Sequence, residues 1–217
     1  MTVIVDYQMG NLRSVQKAVE KAGGHAEISS DPKVIASAGS LILPGVGAFG
    51  DAMDELRRRD LISPIRDFVD SGRPFLGICL GLQLLFEQSD EGGSHEGLGI
   101  LAGDVVRFAE PTEDRRRKVP HMGWNTVTKH GQHAVLDEVD DGDHFYFVHS
   151  HYVRPADPDV VAMTCDYGET FVAAVAKNGL LATQFHPEKS QGVGLKLMKG
   201  FLSMAAGDPI GSGEPVG

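Results

Sequence analysis

Short runs that are apolar on every position alternate with amphipathic stretches through the first half of the chain. Val3-Ile4-Val5 opens the pattern, so a buried strand is predicted at 3–6, leading into a loop at Tyr7-Gln8-Met9-Gly10. From Asn11 onward, Leu12, Val15, Ala18, Val19 and Ala22 recur at spacings of three and four, which predicts a helix with one apolar face. Gly23-Gly24 ends it, since glycine takes up the left-handed C-terminal conformation without a Cβ clash. A strand at 26–28, a helix opening at Ser30-Asp31-Pro32 and an all-apolar strand at 41–43 follow. Helices are predicted over 51–59 and 65–69, then a buried strand at 75–78 running into a helix over 80–88. Strands apolar on both faces that alternate with helices indicate a parallel sheet covered on both sides.

After Leu98 the rhythm changes. Strands are predicted at 105–108, 125–129, 145–153, 160–165 and 170–175, joined by turns instead of helices. A strand at 180–185 and an amphipathic helix at 193–204 close the pattern. The fold class expected is therefore three-layer α/β: a mixed, mostly parallel sheet with helices on both faces and antiparallel additions in the C-terminal half. No repeat and no linker divides the chain, so one domain over 1–206 is expected, with a Gly- and Pro-rich, mobile tail at 207–217.

Composition narrows the class of function only a little. With 41% apolar and 23% charged residues over 217 positions, the chain is ordinary for a soluble protein. No apolar run is long enough to span a bilayer, and the N-terminal residues lack the features of a secretory signal. Two cysteines make no disulfide framework, which points to a reducing, cytoplasmic setting. A formal charge of −10 argues against nucleic acid or an anionic membrane as partner.

The chemistry concentrates in three segments. Gly77-Ile78-Cys79-Leu80-Gly81 lies where a strand meets a helix, the setting of a nucleophile elbow. So sharp a turn needs nearly bare residues two before and two after the nucleophile, and the helix N-terminus favours a thiolate. For a lone cysteine the rival reading, a buried core residue, is the usual one, and here both glycines and the flanking elements favour the elbow over it. Gln184-Phe185-His186-Pro187-Glu188 supplies the base: residues two apart in an extended segment point the same way, so Glu188 is expected beside His186 to fix its tautomer. Pro187 turns the chain out of the sheet at this point. An oxyanion needs donors, and the amide of Leu80 with the Pro44-Gly45-Val46-Gly47 turn, through Val46 and Gly47, provides candidates.

Two features have competing readings. His149-Ser150-His151 places two imidazoles on one strand face, where they would suit zinc, but no cysteine pair or acid stands at ligand spacing and no metal is expected. Arg115-Arg116-Arg117-Lys118 would suit a phosphate or an acidic partner, with a solvated loop as the default.

Elbow, His-Pro-Glu and Pro-Gly-Val-Gly together resemble the class I, triad-type glutamine amidotransferases, over Pro44 to Glu188. The resemblance implies that Cys79 attacks the side-chain amide of glutamine, with His186 as acid and base and Glu188 as its orienter. It implies that Gly47, Gln83, Ser150 and His151 hold L-glutamine, and that no cofactor is needed. Tyr7-Gln8-Met9-Gly10-Asn11-Leu12, Pro120-His121-Met122-Gly123-Trp124-Asn125 and Gln184 to Ser190 are similar to the glutaminase subunits of imidazole glycerol phosphate synthases. That likeness implies ammonia delivery to a separate cyclase subunit, a (β/α)8 barrel, in histidine biosynthesis. Asn11, Met122, Trp124 and Lys189 would face this partner. For Trp124, core packing is the rival reading. One departure is His151, where that family commonly carries tyrosine. The alternatives are a glutaminase of another biosynthesis, a γ-glutamyl peptidase of the same fold, or a catalytically silent regulatory subunit.

Overall fold

A computed structural model describes residues 1–110, 118–131 and 133–207. Arg115 to Arg117 of the basic run, and the expected tail beyond Gly207, lie outside the described residues. In chain order the first half contains β1 (Thr2–Val5), α1 (Leu12–Lys21), β2 (Ala26–Ser29), α2 (Pro32–Ser37), β3 (Ser40–Gly45), α3 (Phe49–Arg58), α4 (Ile62–Asp70), β4 (Phe75–Cys79) and α5 (Leu80–Gln83). The second half is mainly strands: β5 (Phe86–Ser89), β6 (His95–Glu96), β7 (Leu101–Arg107), β8 (His121–Thr126), β9 (Thr128–Lys129), β10 (His144–His149), β11 (His151–Pro155), β12 (Val161–Asp166), β13 (Thr170–Lys177) and β14 (Leu180–Thr183). Helix α6 (Gln191–Ala206) follows, closed by Gly207 at φ +74°.

The main sheet runs β2-β1-β3-β4-β14-β13-β12-β9. It is parallel from β2 through β14, and β13, β12 and β9 add on antiparallel. Strand alternation splits the core into two layers. Val3, Val5, Leu41 and Leu43 face the layer that holds α2, α3 and α4 through Ile35, Phe49, Leu56 and Phe68. Ile4, Ile42, Leu76 and Leu181 face the other, with Val15 and Val19 of α1 and Leu197, Met198 and Phe201 of α6. The mixed sheet with helices on both faces is thus as expected, because the inner strands must be apolar on both sides.

The structure differs from the sequence reading at two places that matter for the site. The helix expected over 80–88 is a single turn, Leu80–Gln83, and Phe86–Ser89 leaves it as a strand parallel to β7. Leu80, Leu82, Leu84, Leu85 and Phe86 are all buried, so the run shows no period, and pairing with β7 decides the conformation. The single strand expected over 145–153 breaks at Ser150 into β10, paired with β8, and β11, paired with β7. The break turns the His149–His151 backbone toward the end of β4.

Candidate active site

Cys79 ends β4 and caps the turn of helix that follows, at φ +55° and ψ −108°. No L residue adopts this region readily, so the surroundings hold it there. The two flanking glycines are what permit it. A Cβ on Gly81 would stand 1.8 Å from the carbonyl oxygen of Leu43, and one on Gly77 would stand 2.8 Å from the Cβ of Ala182. The elbow therefore folds against β3 and β14 at backbone contact. Because α5 has only one turn, the helix dipole contributes less than the expected longer helix would. Local donors take its place: the Gln184 side-chain amide donates toward the Cys79 sulfur at 3.7 Å.

His186 and Glu188 meet as expected, but not by way of an extended strand. β14 stops at Thr183, and Pro187–Lys189 form a 3-10 turn that folds Glu188 back under His186. Nδ1 of His186 stands 2.8 Å from Oε1 of Glu188, and both side chains are 2% exposed. β10 clamps the loop: the His186 amide donates to the Tyr146 carbonyl, and Ser190 Oγ donates to the His186 carbonyl while accepting from the Tyr146 amide. Phe185 stacks on Phe145 with centroids 3.9 Å apart. Burial alone would lower the His186 pKa, yet interactions with Cys79 and Glu188 outweigh it and raise it to about 9. Nε2 of His186 is buried with no hydrogen-bond partner, which leaves one ring nitrogen uncommitted.

A cavity of about 310 Å³ opens in front of Cys79. Its wall includes Val46, Gly47, Leu80, Gln83, Ser150 and His151, so every predicted oxyanion and glutamine-binding residue lines one space. His186 and Glu188 are not part of that wall. Gly47 needs its freedom: φ is +100°, turning the chain after β3 toward α3. Tyr7 braces this turn by donating its hydroxyl to the Pro44 carbonyl at 2.7 Å, and burial holds its phenol protonated. Leu80 is the first residue of α5, where the amide has no helical acceptor.

Two residues at the site were not foreseen. Glu91, between β5 and β6, lines the cavity and accepts the Phe49 amide at the start of α3, placing a carboxylate at the pocket. Gln184 lies fully buried and links Gln83 to Cys79. His149 and His151 do not face one another as metal ligands would. Both ring nitrogens of His149 are occupied by hydrogen bonds, while the His151 ring lies 3.5 Å from Glu91 and 3.8 Å from Asp90.

The remaining predicted residues lie at the surface or near it. Met122 and Trp124 on β8 are 62% and 46% exposed, which disposes of core packing for Trp124. Trp124 sits edge-on to Tyr146, and Nζ of Lys189 stands 5.9 Å over the same ring, so the three side chains share one face. Asn11 caps α1, accepting from the Ser14 amide. Lys118 is exposed and its carbonyl accepts from the Tyr167 hydroxyl. Among the described residues no helix is long and apolar enough to cross a membrane.

Residues 3–204 match the family described as glutamine amidotransferase class-I. The chain is similar to imidazole glycerol phosphate synthase subunit HisH of Rhodopirellula baltica, 67% identical over 94% of this chain and 97% of that protein. The protein of the same name from Syntrophotalea carbinolica is 55% identical over 94% and 100%. Among solved structures, a glutamine amidotransferase aligns at TM-score 0.71 and 21% identity over 94% of this chain and 98% of that one. PurLQS from Thermotoga maritima aligns at 0.71 and 16% over 93% and 97%; both likenesses speak to the fold alone.

Proposed function

The chain belongs to the class-I glutamine amidotransferase family, and from that premise we infer that it is the glutaminase subunit of imidazole glycerol phosphate synthase, serving histidine biosynthesis. The observation that carries the hydrolytic half is Cys79 in a strained elbow at the wall of the cavity, backed by the buried His186–Glu188 pair.

The geometry supports the following sequence. L-Glutamine enters the cavity, its α-ammonium matched by the Glu91 carboxylate and its backbone groups by Ser150, His151 and Gln83. His186 takes the Cys79 proton, the sulfur attacks the side-chain carbonyl carbon, and the developing oxyanion meets the amides of Leu80 and the Val46-Gly47 turn. The C–N bond then breaks as His186, protonated with its pKa near 9, gives its Nε2 proton to the departing amine. Ammonia leaves and a glutamyl thioester remains on Cys79. Water, deprotonated by the now neutral His186, attacks the thioester and releases L-glutamate and the cysteine. Glu188 stays ionised, holding Nδ1–H and offsetting the imidazolium charge.

Ammonia released into water at neutral pH is protonated and loses its nucleophilicity, so the reading includes a docked cyclase subunit that consumes it in the cytoplasm. The face shared by Met122, Trp124 and Lys189 is the docking surface proposed, together with Asn11 at the N-cap of α1. Imidazole glycerol phosphate and an aminoimidazole carboxamide ribonucleotide are then the products of the complex.

Glutamate release measured with and without a (β/α)8 cyclase subunit and its ribonucleotide tests this. Stimulation by the barrel supports the assignment, and equal rates in both arms refute the cyclase as partner. Cys79→Ala should remove glutamine turnover yet leave the complex able to use added ammonium salt. Residual glutaminase activity in that variant would sink the role of Cys79.

A further inference from the structure

From the cavity wall, which His149 lines, a hydrogen-bonded chain that the triad does not use runs into the core. Nδ1 of His149 stands 2.8 Å from the backbone carbonyl of His151. A carbonyl only accepts, so Nδ1 of His149 carries the proton and its Nε2 is an acceptor. Nδ1 of His121 lies 3.0 Å from that Nε2 and must donate to it. This leaves Nε2 of His121 as acceptor for the side-chain amide of Asn125 at 3.3 Å, which also donates to the Asp166 carbonyl. Each tautomer follows from the one before, with a single direction of donation from Asn125 inward.

The inner end continues to the nucleophile. The His151 carbonyl also accepts from the Gln83 amide at 3.0 Å. The same Gln83 nitrogen donates to Oε1 of Gln184 at 3.1 Å, and Gln184 donates toward the Cys79 sulfur. The side chains of His121, His149, Gln83 and Gln184 are nearly or fully buried. His121 is sandwiched between Tyr167 and Phe147, with centroids 4.0 and 4.8 Å away.

From this geometry we propose that His149, fixed in one tautomer by His121, is a positioning residue for glutamine: it sets the His151 carbonyl, and through it the Ser150–His151 backbone and the Gln83–Gln184 pair. The proposal rests on the glutaminase reading above. Protonating either ring would reverse a donor and break the chain. Burial prevents this by lowering the pKa of His149 to about 3 and that of His121 to about 4, so both stay neutral where the enzyme works. The need to hold a carbonyl by an N–H that cannot rotate away explains a histidine here, where an apolar ring would pack equally well.

The test uses the full chain and a diazo-ketone analogue of glutamine, with alkylation of Cys79 followed by intact mass against analogue concentration. His149→Phe should raise the half-saturating concentration about tenfold, the loss expected when a buried carbonyl gives up one donor. His149→Asn, whose amide can occupy the place of Nδ1, should restore most of the affinity. Should His149→Phe fail to fold, His121→Phe reads the same chain one link out, keeps the aromatic stacking, and should shift half-saturation about threefold. Wild-type half-saturation in a folded His149→Phe or His121→Phe protein overturns the proposal. If iodoacetamide modifies wild-type Cys79 but the analogue shows no saturation, the glutaminase reading itself fails, and the proposal with it.

Discussion

Replacing Glu188 by glutamine should separate the orienting carboxylate from its shape. Gln keeps an oxygen near the position of Oε1, 2.8 Å from Nδ1 of His186, and so keeps the tautomer. What changes is the charge. A hydrogen bond to an ionised partner contributes about 1.5–3 kcal/mol and a neutral one about 1 kcal/mol, so the imidazolium loses on the order of 1–2 kcal/mol. One pKa unit corresponds to about 1.4 kcal/mol, so His186 should fall from about 9 by roughly one unit. Glutamate release at neutral pH should drop about 5–30-fold, since the imidazolium that forms as His186 takes the proton of water in thioester hydrolysis is stabilised less by that amount. The alkaline limb of the rate should move down by roughly one unit. Stability follows the same sign. A histidine raised in the folded state stabilises most below its unfolded value near 6.5 and loses that contribution as pH rises through about 9. Melting temperature should therefore decline between those limits in the wild type and decline less in the variant. Rate and melting profiles across pH 6–10 that superimpose for the two proteins would refute the role given to Glu188.

Gly81→Ala puts a methyl group 1.8 Å from the Leu43 carbonyl, so β3 or the elbow must shift; a loss of about 2–3 kcal/mol should lower the melting temperature by about 5–10 °C, and an unchanged melt would mean the elbow is looser than described. Trp124→Ala removes a 46% exposed side chain and should leave the melt of the free subunit within about 2 °C, while weakening cyclase binding by about 2 kcal/mol in a titration calorimeter. The two thiols should part in reactivity: burial first, and Asp166 second, push Cys165 up to about 12, so iodoacetamide at pH 7.5 should label Cys79 alone in a peptide map. Label on Cys165 in the folded protein would contradict its burial.

What the sequence made legible depends on how far each feature is local. The alternation of apolar strands and helices through residue 79 was readable because burial on both faces of an inner strand leaves no polar position to blur it. The elbow was readable for a different reason. Gly77 and Gly81 sit at fixed offsets from Cys79, and the contacts that forbid a Cβ there come from β3 and β14, strands any such sheet must place alongside. The stretch after Cys79 was misread because an unbroken apolar run fits a helix and a buried strand equally, and only β7, some fifteen residues later, decides between them. His186 and Glu188 were paired correctly on the wrong backbone: a 3-10 turn and an extended strand both bring i and i+2 near one another here, so side-chain proximity could be right while the conformation was not.

The parts of the site that stayed hidden have one physical trait in common: they exist only through strand register. His121 reaches His149 because β8 and β10 pair antiparallel with those two residues opposite one another, 28 positions apart in sequence. Neither histidine carries a motif that announces the other. Glu91 enters the cavity from the turn between β5 and β6, anchored by the amide that opens α3, again a contact no spacing rule contains. His149-Ser150-His151 illustrates the cost of reading such residues locally. Taken as one strand, the two imidazoles share a face; once the strand breaks at Ser150, His149 turns inward to a histidine and a carbonyl, and His151 lies against Asp90 and Glu91. The groups proposed as catalytic are thus encoded by short spacings, Gly77 and Gly81 about Cys79 and His186 with Glu188, that survive an error in the surrounding elements. The groups that shape the substrate pocket are encoded by pairing between distant strands, and it is there that His151, which departs from the tyrosine common in the family, has its neighbours.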